Sequence, residues 1–116
     1  MYEIFSMHSL PTEFLFSKMY LVTLLSILGD AGDSLTYHND MKFSTNDKDN
    51  DEYQNNNCAK IYESAWWYNR CNSSNLNGRY SQTSQVDHGH GIQWSKWKGY
   101  KYSLKRSEMK TRPRAS

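Results

Sequence analysis

Three aspartates at alternate positions, Asp47, Asp49 and Asp51, open the stretch of this protein that is richest in chemistry. Carboxylates at that spacing, followed by the amide-rich Gln54-Asn55-Asn56-Asn57, suit a hard cation. Calcium takes roughly six to eight oxygens, and a short acidic loop can supply several from side chains and carbonyls. The bland alternative is a solvated acidic loop. An EF-hand is excluded, because the glycine and the terminal Glu of its loop are missing. Just downstream, Cys58 and Cys71 stand 13 positions apart around the paired Trp66 and Trp67. Two cysteines without CxxC spacing fit one disulfide in an oxidising compartment, with a reduced intracellular pair as the alternative. A bridge there would hold the acidic loop in shape and stabilise the fold by roughly 3 kcal/mol for a loop of about this length. The tryptophans would give it something to pack on.

The histidines are weaker signals. His88 and His90 flank Gly89, but no third ligand follows at a spacing that zinc needs. His38 stands alone and reads as a hydrogen-bonded structural residue rather than a ligand. Nothing in the second half of the sequence supplies a nucleophile, a base and a group to orient it. The chemistry points to binding, not to an enzyme.

The elements that must position these residues belong to one domain at most, given 116 residues. At 15% aromatic, with nine Tyr and four Trp, the sequence calls for a packed aromatic core or a recognition surface, because disordered regions are poor in aromatics. The net charge of +2 hides a segregation: residues 1–57 hold nine acids and three bases, residues 58–116 three acids and eleven bases. A basic tail of this kind suits polyanions, or is merely a solvated face; no helix-turn-helix, zinc-ligand set or RNA-binding signature accompanies it, so nucleic acid is not expected.

Residues 1–19 carry no readable motif. The apolar run from Phe14 to Leu28 is too short, and too interrupted by Lys18, for a membrane-spanning helix of about 20 residues. A signal peptide is disfavoured by the acids before it and by the lack of a small-residue cleavage site. Tyr20 to Leu25 reads better as a buried strand before the turn at Gly29-Asp30. Gly29 to Asp40 reads as turn plus short strand or loop, and Met41 to Thr45 as a short alternating segment. Asn77-Gly78 is a strong turn dipeptide leading into a strand. Ile92 to Trp97 is expected to form a half-buried strand. Tyr100, Tyr102 and Leu104 alternate with polar residues as a closing strand with one face inside, and Met109 with Thr111 continues a final short strand.

Four segments, DNDEYQNNNCA, AWWYNRC, SNLNGRY and WSKWKGYKYSLKRSEMKTRP, resemble the C-terminal half of a fibrinogen-related domain. That family includes fibrinogen C-terminal regions, ficolins, tachylectins, tenascin ends and angiopoietins. The resemblance runs from about Tyr20 to Pro113, leaving residues 1–19 unassigned and 114–116 as a tail. It implies an α+β fold: a partial fibrinogen C-terminal-like domain with a small antiparallel sheet and long irregular calcium and pocket loops. It also implies that the family's first half is absent, which leaves sheet edges and an apolar face to be covered.

By resemblance, Asp49 and Asp51 give carboxylate oxygens to calcium and Tyr53 and Asn55 give backbone carbonyls, with Asp47 left as a surface carboxylate. From Asp49 to Cys58 there is one residue more than in the family pattern. A glycine common near Asn55 is replaced, and Asn tolerates the left-handed conformation better than most residues. Cys58 and Cys71 match the family's disulfide. Trp66 and Trp67 match core and pocket wall, and the peptide between Arg70 and Cys71 matches a bond that is often cis.

The family pocket, which in ficolin- and tachylectin-like members takes acetyl groups, maps to Tyr62, Arg70, Cys71, Asn72, His88 and Gly89. Its physics is an apolar floor for the methyl and a few donors for the carbonyl oxygen. Two positions depart from it: Asn72 stands where a histidine is usual and His88 where an aromatic is usual. Asn72-Ser73-Ser74 is also an N-glycosylation sequon at the pocket mouth.

The resemblance implies a secreted, calcium-dependent recognition module that binds acetylated carbohydrate in innate defence, without membrane insertion. The alternatives are a matrix or signalling domain that binds a protein receptor, and a fragment without function of its own. Oligomerisation would need upstream segments that these 116 residues do not include.

Overall fold

The computed structural model describes residues 30–109. The strand expected at Tyr20 to Leu25 lies outside them, as does Thr111.

Regular structure is sparse, and aromatic packing does the work that long elements do elsewhere. The order is a 3-10 turn, η1 (Thr36–His38), a four-residue helix α1 (Cys58–Ile61), β1 (Ser74–Asn75), β2 (Gln93–Trp94), and a second four-residue helix α2 (Ser95–Lys98). The two strands pair antiparallel, Ser74 with Trp94 and Asn75 with Gln93. Isolated bridges join Ser44 to Trp66 and Gln85 to Tyr102. This is the small antiparallel sheet with irregular loops that the resemblance implies.

Each short element has a local cause. Asp33 ties down the start of η1: its Oδ1 accepts the N–H groups of Leu35 at 2.8 Å and Thr36 at 2.9 Å. Asn57 caps α1 by accepting the Lys60 N–H at 3.1 Å, which satisfies one of the donors that a helix start leaves over. Glu63, at φ +52, turns the backbone away just after α1 ends.

The core is an aromatic cluster closed by the disulfide. Phe43, Trp66, Trp67, Tyr68, Leu76, Ile92 and Trp94 are buried with Cys58 and Cys71. Phe43 meets Trp67 edge-on at 5.2 Å, and Trp66 meets Trp67 at 5.1 Å. Such edge-to-face pairs add about 1 kcal/mol each beyond the area they bury. Both tryptophans belong to the core, so neither serves as an open pocket wall.

Several expected strands are shorter or absent. The segment at Ile92 is strand only at Gln93–Trp94, after which the backbone winds into α2. The closing strand from Tyr100 is reduced to the single bridge at Tyr102, and its buried side chain is Ser103, not the tyrosines. Ser103 Oγ accepts the Ile92 N–H at 3.0 Å, so a serine goes inside because it meets a backbone donor there. No strand forms at Met109. At Asn77-Gly78 the strand precedes the turn rather than following it. Gly78 is needed for contact, since a Cβ there would lie 1.8 Å from the Gly91 carbonyl oxygen.

Candidate functional site

The acidic loop is built from its own carboxylates. Asp51 accepts two backbone N–H groups, from Tyr53 at 2.9 Å on Oδ1 and from Cys58 at 2.8 Å on Oδ2. Asp49 Oδ1 accepts the Asp51 N–H at 3.1 Å, which brings the two side chains onto one turn. Burial, together with the Asp49 carboxylate beside it, pushes the Asp51 carboxyl above the ordinary range, against the pull of its two N–H donors. Two acids are thus held together with no lysine or arginine ion-paired to them among the described residues. Asp47 stays outside, exposed and bonded to the Thr45 hydroxyl at 2.7 Å.

The donor chemistry suits a hard cation. Asp49 and Asp51 line an open cleft with Tyr53 and Asn55. Asn55 adopts φ +64, a left-handed conformation that Asn tolerates better than most residues. The Tyr53 carbonyl accepts the Asn56 N–H at 3.1 Å and keeps a second lone pair. Among the described residues no three His, Cys, Asp or Glu side chains converge, so any metal held here would draw on backbone carbonyls and water beside the two carboxylates.

Covalent and hydrogen-bonded links run from this loop to the peptide between Arg70 and Cys71, which is cis. Cys58, held by Asp51, is disulfide-bonded to Cys71. Glu52 donates its N–H to the Asn69 carbonyl at 3.0 Å. The Arg70 guanidinium lies over the Tyr53 ring, 5.1 Å from its centroid.

From the other side η1 clamps the same peptide. Tyr37 donates its hydroxyl to the Arg70 carbonyl at 2.9 Å. His38 is fully buried: Nδ1 bonds the Trp67 carbonyl at 2.8 Å, and Nε2 accepts the N–H groups of Ser73 at 3.1 Å and Ser74 at 3.2 Å. A carbonyl only accepts, so Nδ1 carries the proton and Nε2 is the bare acceptor. Burial lowers the His38 pKa to about 4, with the Trp67 bond opposing the shift, so the ring is neutral at ordinary pH. The structural reading of this lone histidine is therefore the one the fold uses.

The remaining pocket positions gather around tyrosines. Tyr62 packs on Gly89, where a Cβ would lie 2.2 Å from the ring. Burial raises the Tyr62 pKa, and the Tyr53 and Tyr100 phenols near it add to the shift. His88 stacks on Tyr100 at 4.7 Å and His90 leans on Tyr62 at 5.3 Å. Each histidine of the HxH pair therefore packs against an aromatic ring. Asn72 keeps its side-chain Nδ2 buried and without a hydrogen-bond partner, so the atom that a glycan would occupy faces no solvent.

Tyr53 as a ring, Tyr100, His90 and Tyr37 are parts of this site that sequence reasoning does not single out. Tyr100 and Tyr53 are legible as aromatics, but no spacing rule joins positions so far apart.

The comparisons with known proteins agree with this architecture. The family model for the C-terminal globular domain of fibrinogen beta and gamma chains matches residues 1–114. Fibrinogen C domain-containing protein 1 of Xenopus tropicalis is 51% identical over 94 residues, covering 81% of this chain and 20% of that protein. Techylectin-5A of Tachypleus tridentatus is 46% identical over 95 residues, covering 82% of this chain and 32% of the relative. The fibrinogen-like globe domain of human ANGPTL6 superposes with a TM-score of 0.63 at 44% identity, over 67% of this chain and 36% of that one. The chain thus spans about a fifth to a third of the length of these curated relatives. With a family model matched along nearly its whole length, the protein belongs to the family of C-terminal globular domains found in fibrinogen beta and gamma chains.

Proposed function

We propose that this protein is an extracellular, calcium-dependent recognition module whose pocket beside Arg70 and Cys71 takes acetylated glycans or similar ligands in innate defence. One observation carries the reading: Asp51 holds the Cys58 N–H at 2.8 Å, and Cys58 is bonded to Cys71 at the pocket peptide. Calcium would supply charge and rigidity, and no bond-making. Asp49 and Asp51 would hold it with carboxylates, Tyr53 and Asn55 with carbonyls. Neutralising the pair would remove the Asp49 repulsion that adds to burial in raising the Asp51 pKa, and would stiffen the turn that fixes Cys58. The pocket peptide would then offer an acetyl oxygen its N–H donors, with Tyr62 and Gly89 as the apolar floor.

Support for an extracellular module comes from the disulfide, which persists in oxidising compartments, and from the family. Among the described residues no helix is long and apolar enough to cross a membrane. The techylectin relative is lectin-like by name, which favours the glycan reading. The test is retention of the folded protein on N-acetylglucosamine resin with calcium and release by free acetate or by a chelator. Failure to bind, or binding indifferent to the chelator, overturns it.

A second reading, a domain that binds a protein receptor, is favoured by His88. It is exposed and stacked on Tyr100, so this wall offers a polar edge in place of an apolar one. A protein that ignores acetylated resin yet binds cell-surface protein in calcium would support this reading instead.

A further inference from the structure

The short helix α2 presents Lys96, Trp97 and Lys98 and buries none of its side chains. Trp97 is 48% exposed, so core packing does not explain it. Lys98 Nζ lies 5.0 Å from the Trp97 ring centroid and 5.5 Å from that of Tyr102. Two rings therefore flank one ammonium, and the contact ties α2 to Tyr102.

The segment that carries these residues is one-signed. Between positions 95 and 107 the sequence holds Lys96, Lys98, Lys101, Lys105 and Arg106 and no acid. Arg106 is taken by Glu108 at 3.5 Å, and Lys96 lies in the field of Asp33. Among the described residues Lys98, Lys101 and Lys105 form no ion pair with a carboxylate. Acids concentrate instead in the loop from Asp47 to Glu52, so the charge is segregated and can orient an approaching polyanion.

We propose that the surface around Trp97, Lys98 and Tyr102, with Lys101 beside it in the sequence, binds sulfated polysaccharide through side chains other than those assigned to the acetyl pocket. Lysine ammonium groups meet sulfates as compact point charges. A half-exposed indole between them offers a flat apolar surface to the C–H face of a sugar ring. Single-stranded nucleic acid would meet the same charges, but its bases ask for successive aromatic platforms, and here the Trp97 and Tyr102 rings are both occupied by the Lys98 ammonium. The inference rests only on the extracellular part of the function proposed above.

The experiment uses the 116-residue protein with its disulfide intact on immobilised heparin, in chelator and excess free N-acetylglucosamine, so failure of the calcium and acetyl reading leaves it untouched. The protein should be retained and eluted by salt. Lys98→Gln with Lys101→Gln should weaken binding several-fold and flatten the dependence on log salt by about two, as expected when two ionic contacts are lost. Trp97→Ala should weaken binding without changing that slope, and Trp97→Phe should restore most of it. Lys48→Gln with Lys60→Gln removes the same charge elsewhere and should leave retention unchanged. Melting curves establish that each variant folds. The inference is overturned if the unaltered protein is not retained, if both lysine pairs matter equally, if desulfated heparin binds as well, or if single-stranded DNA competes as well as free heparin.

Discussion

The Asp51 carboxylate reaches seven residues along the sequence to accept the Cys58 N–H at 2.8 Å, and so joins the acidic loop to the start of α1 and to the disulfide. Through Cys71 the same connection continues to the cis peptide between Arg70 and Cys71. An acid that organises its own loop and sits beside a second acid should respond to a divalent cation.

Adding calcium is therefore expected to raise the melting temperature. Ion at about one hundred times its dissociation constant would add roughly 2.7 kcal/mol. Asp49→Asn should lose most of that response at little cost to the metal-free fold, because the Asp49 side chain supports the loop through its bond to the Asp51 N–H and an asparagine oxygen can accept the same bond. Asp51→Ala should lose it and also destabilise the metal-free protein by about 1–3 kcal/mol, since the Tyr53 and Cys58 N–H groups both lose their acceptor. Calorimetry with and without a chelator checks both. An identical melting curve in calcium would sink the metal reading.

Stability should fall on acidification because of His38. The histidine titrates near 6.5 when unfolded and near 4 in the fold, where burial disfavours its charge. In that interval the unfolded state binds the proton and the folded state resists it. The contribution is thus fully present above pH 6.5 and is lost as pH drops towards 4, by up to about 3 kcal/mol. His38→Leu should be less stable at pH 7, because the Ser73 and Ser74 donors lose their shared acceptor, yet should show a flatter profile. Denaturant midpoints at several pH values decide it.

Reducing the disulfide should cost about 3 kcal/mol, given that it closes a loop of 13 residues. Because Asp51 anchors the backbone of Cys58, reduction should also weaken calcium binding. Titrating the Cys58→Ser, Cys71→Ser variant with calcium measures this. Equal affinity in the two forms would show that the loop does not depend on the bridge.

Gly89→Ala should damage the pocket more than the fold. The position has φ +81, and the added Cβ would lie 2.2 Å from the Tyr62 ring. Tyr62 must move, which displaces the apolar floor and its neighbour His90. Loss of acetyl-resin retention with a melting temperature lowered by only a few degrees is the expected outcome. Tyr62→Ala, which clears the ring, should lose retention too while relieving the clash in the double variant.

Much of the site is legible in the sequence because its chemistry is local. Alternate aspartates on a short loop need only backbone turns to converge, and Asp49 and Asp51 do so through hydrogen bonds spanning two residues. Motif resemblance supplies the Cys58–Cys71 pairing and the peptide at Arg70. Strand lengths are less legible. Alternation at Tyr100, Tyr102 and Leu104 places the tyrosines inside, whereas Ser103 is the residue buried, because the Ile92 N–H needs an acceptor.

By itself the sequence determined the family, the acidic loop, the disulfide and the segregation of charge, all of which reside in residue type and short spacing. The tertiary structure alone decided which distant groups meet. It set His38 beneath Ser73 and Ser74, 35 and 36 positions away, and Tyr37 on the Arg70 carbonyl. It also wound Ser95–Lys98 into a helical turn that leaves Trp97 exposed beside Lys98. Burial of polar groups is settled by the partners they find across the fold, and no local pattern specifies those partners.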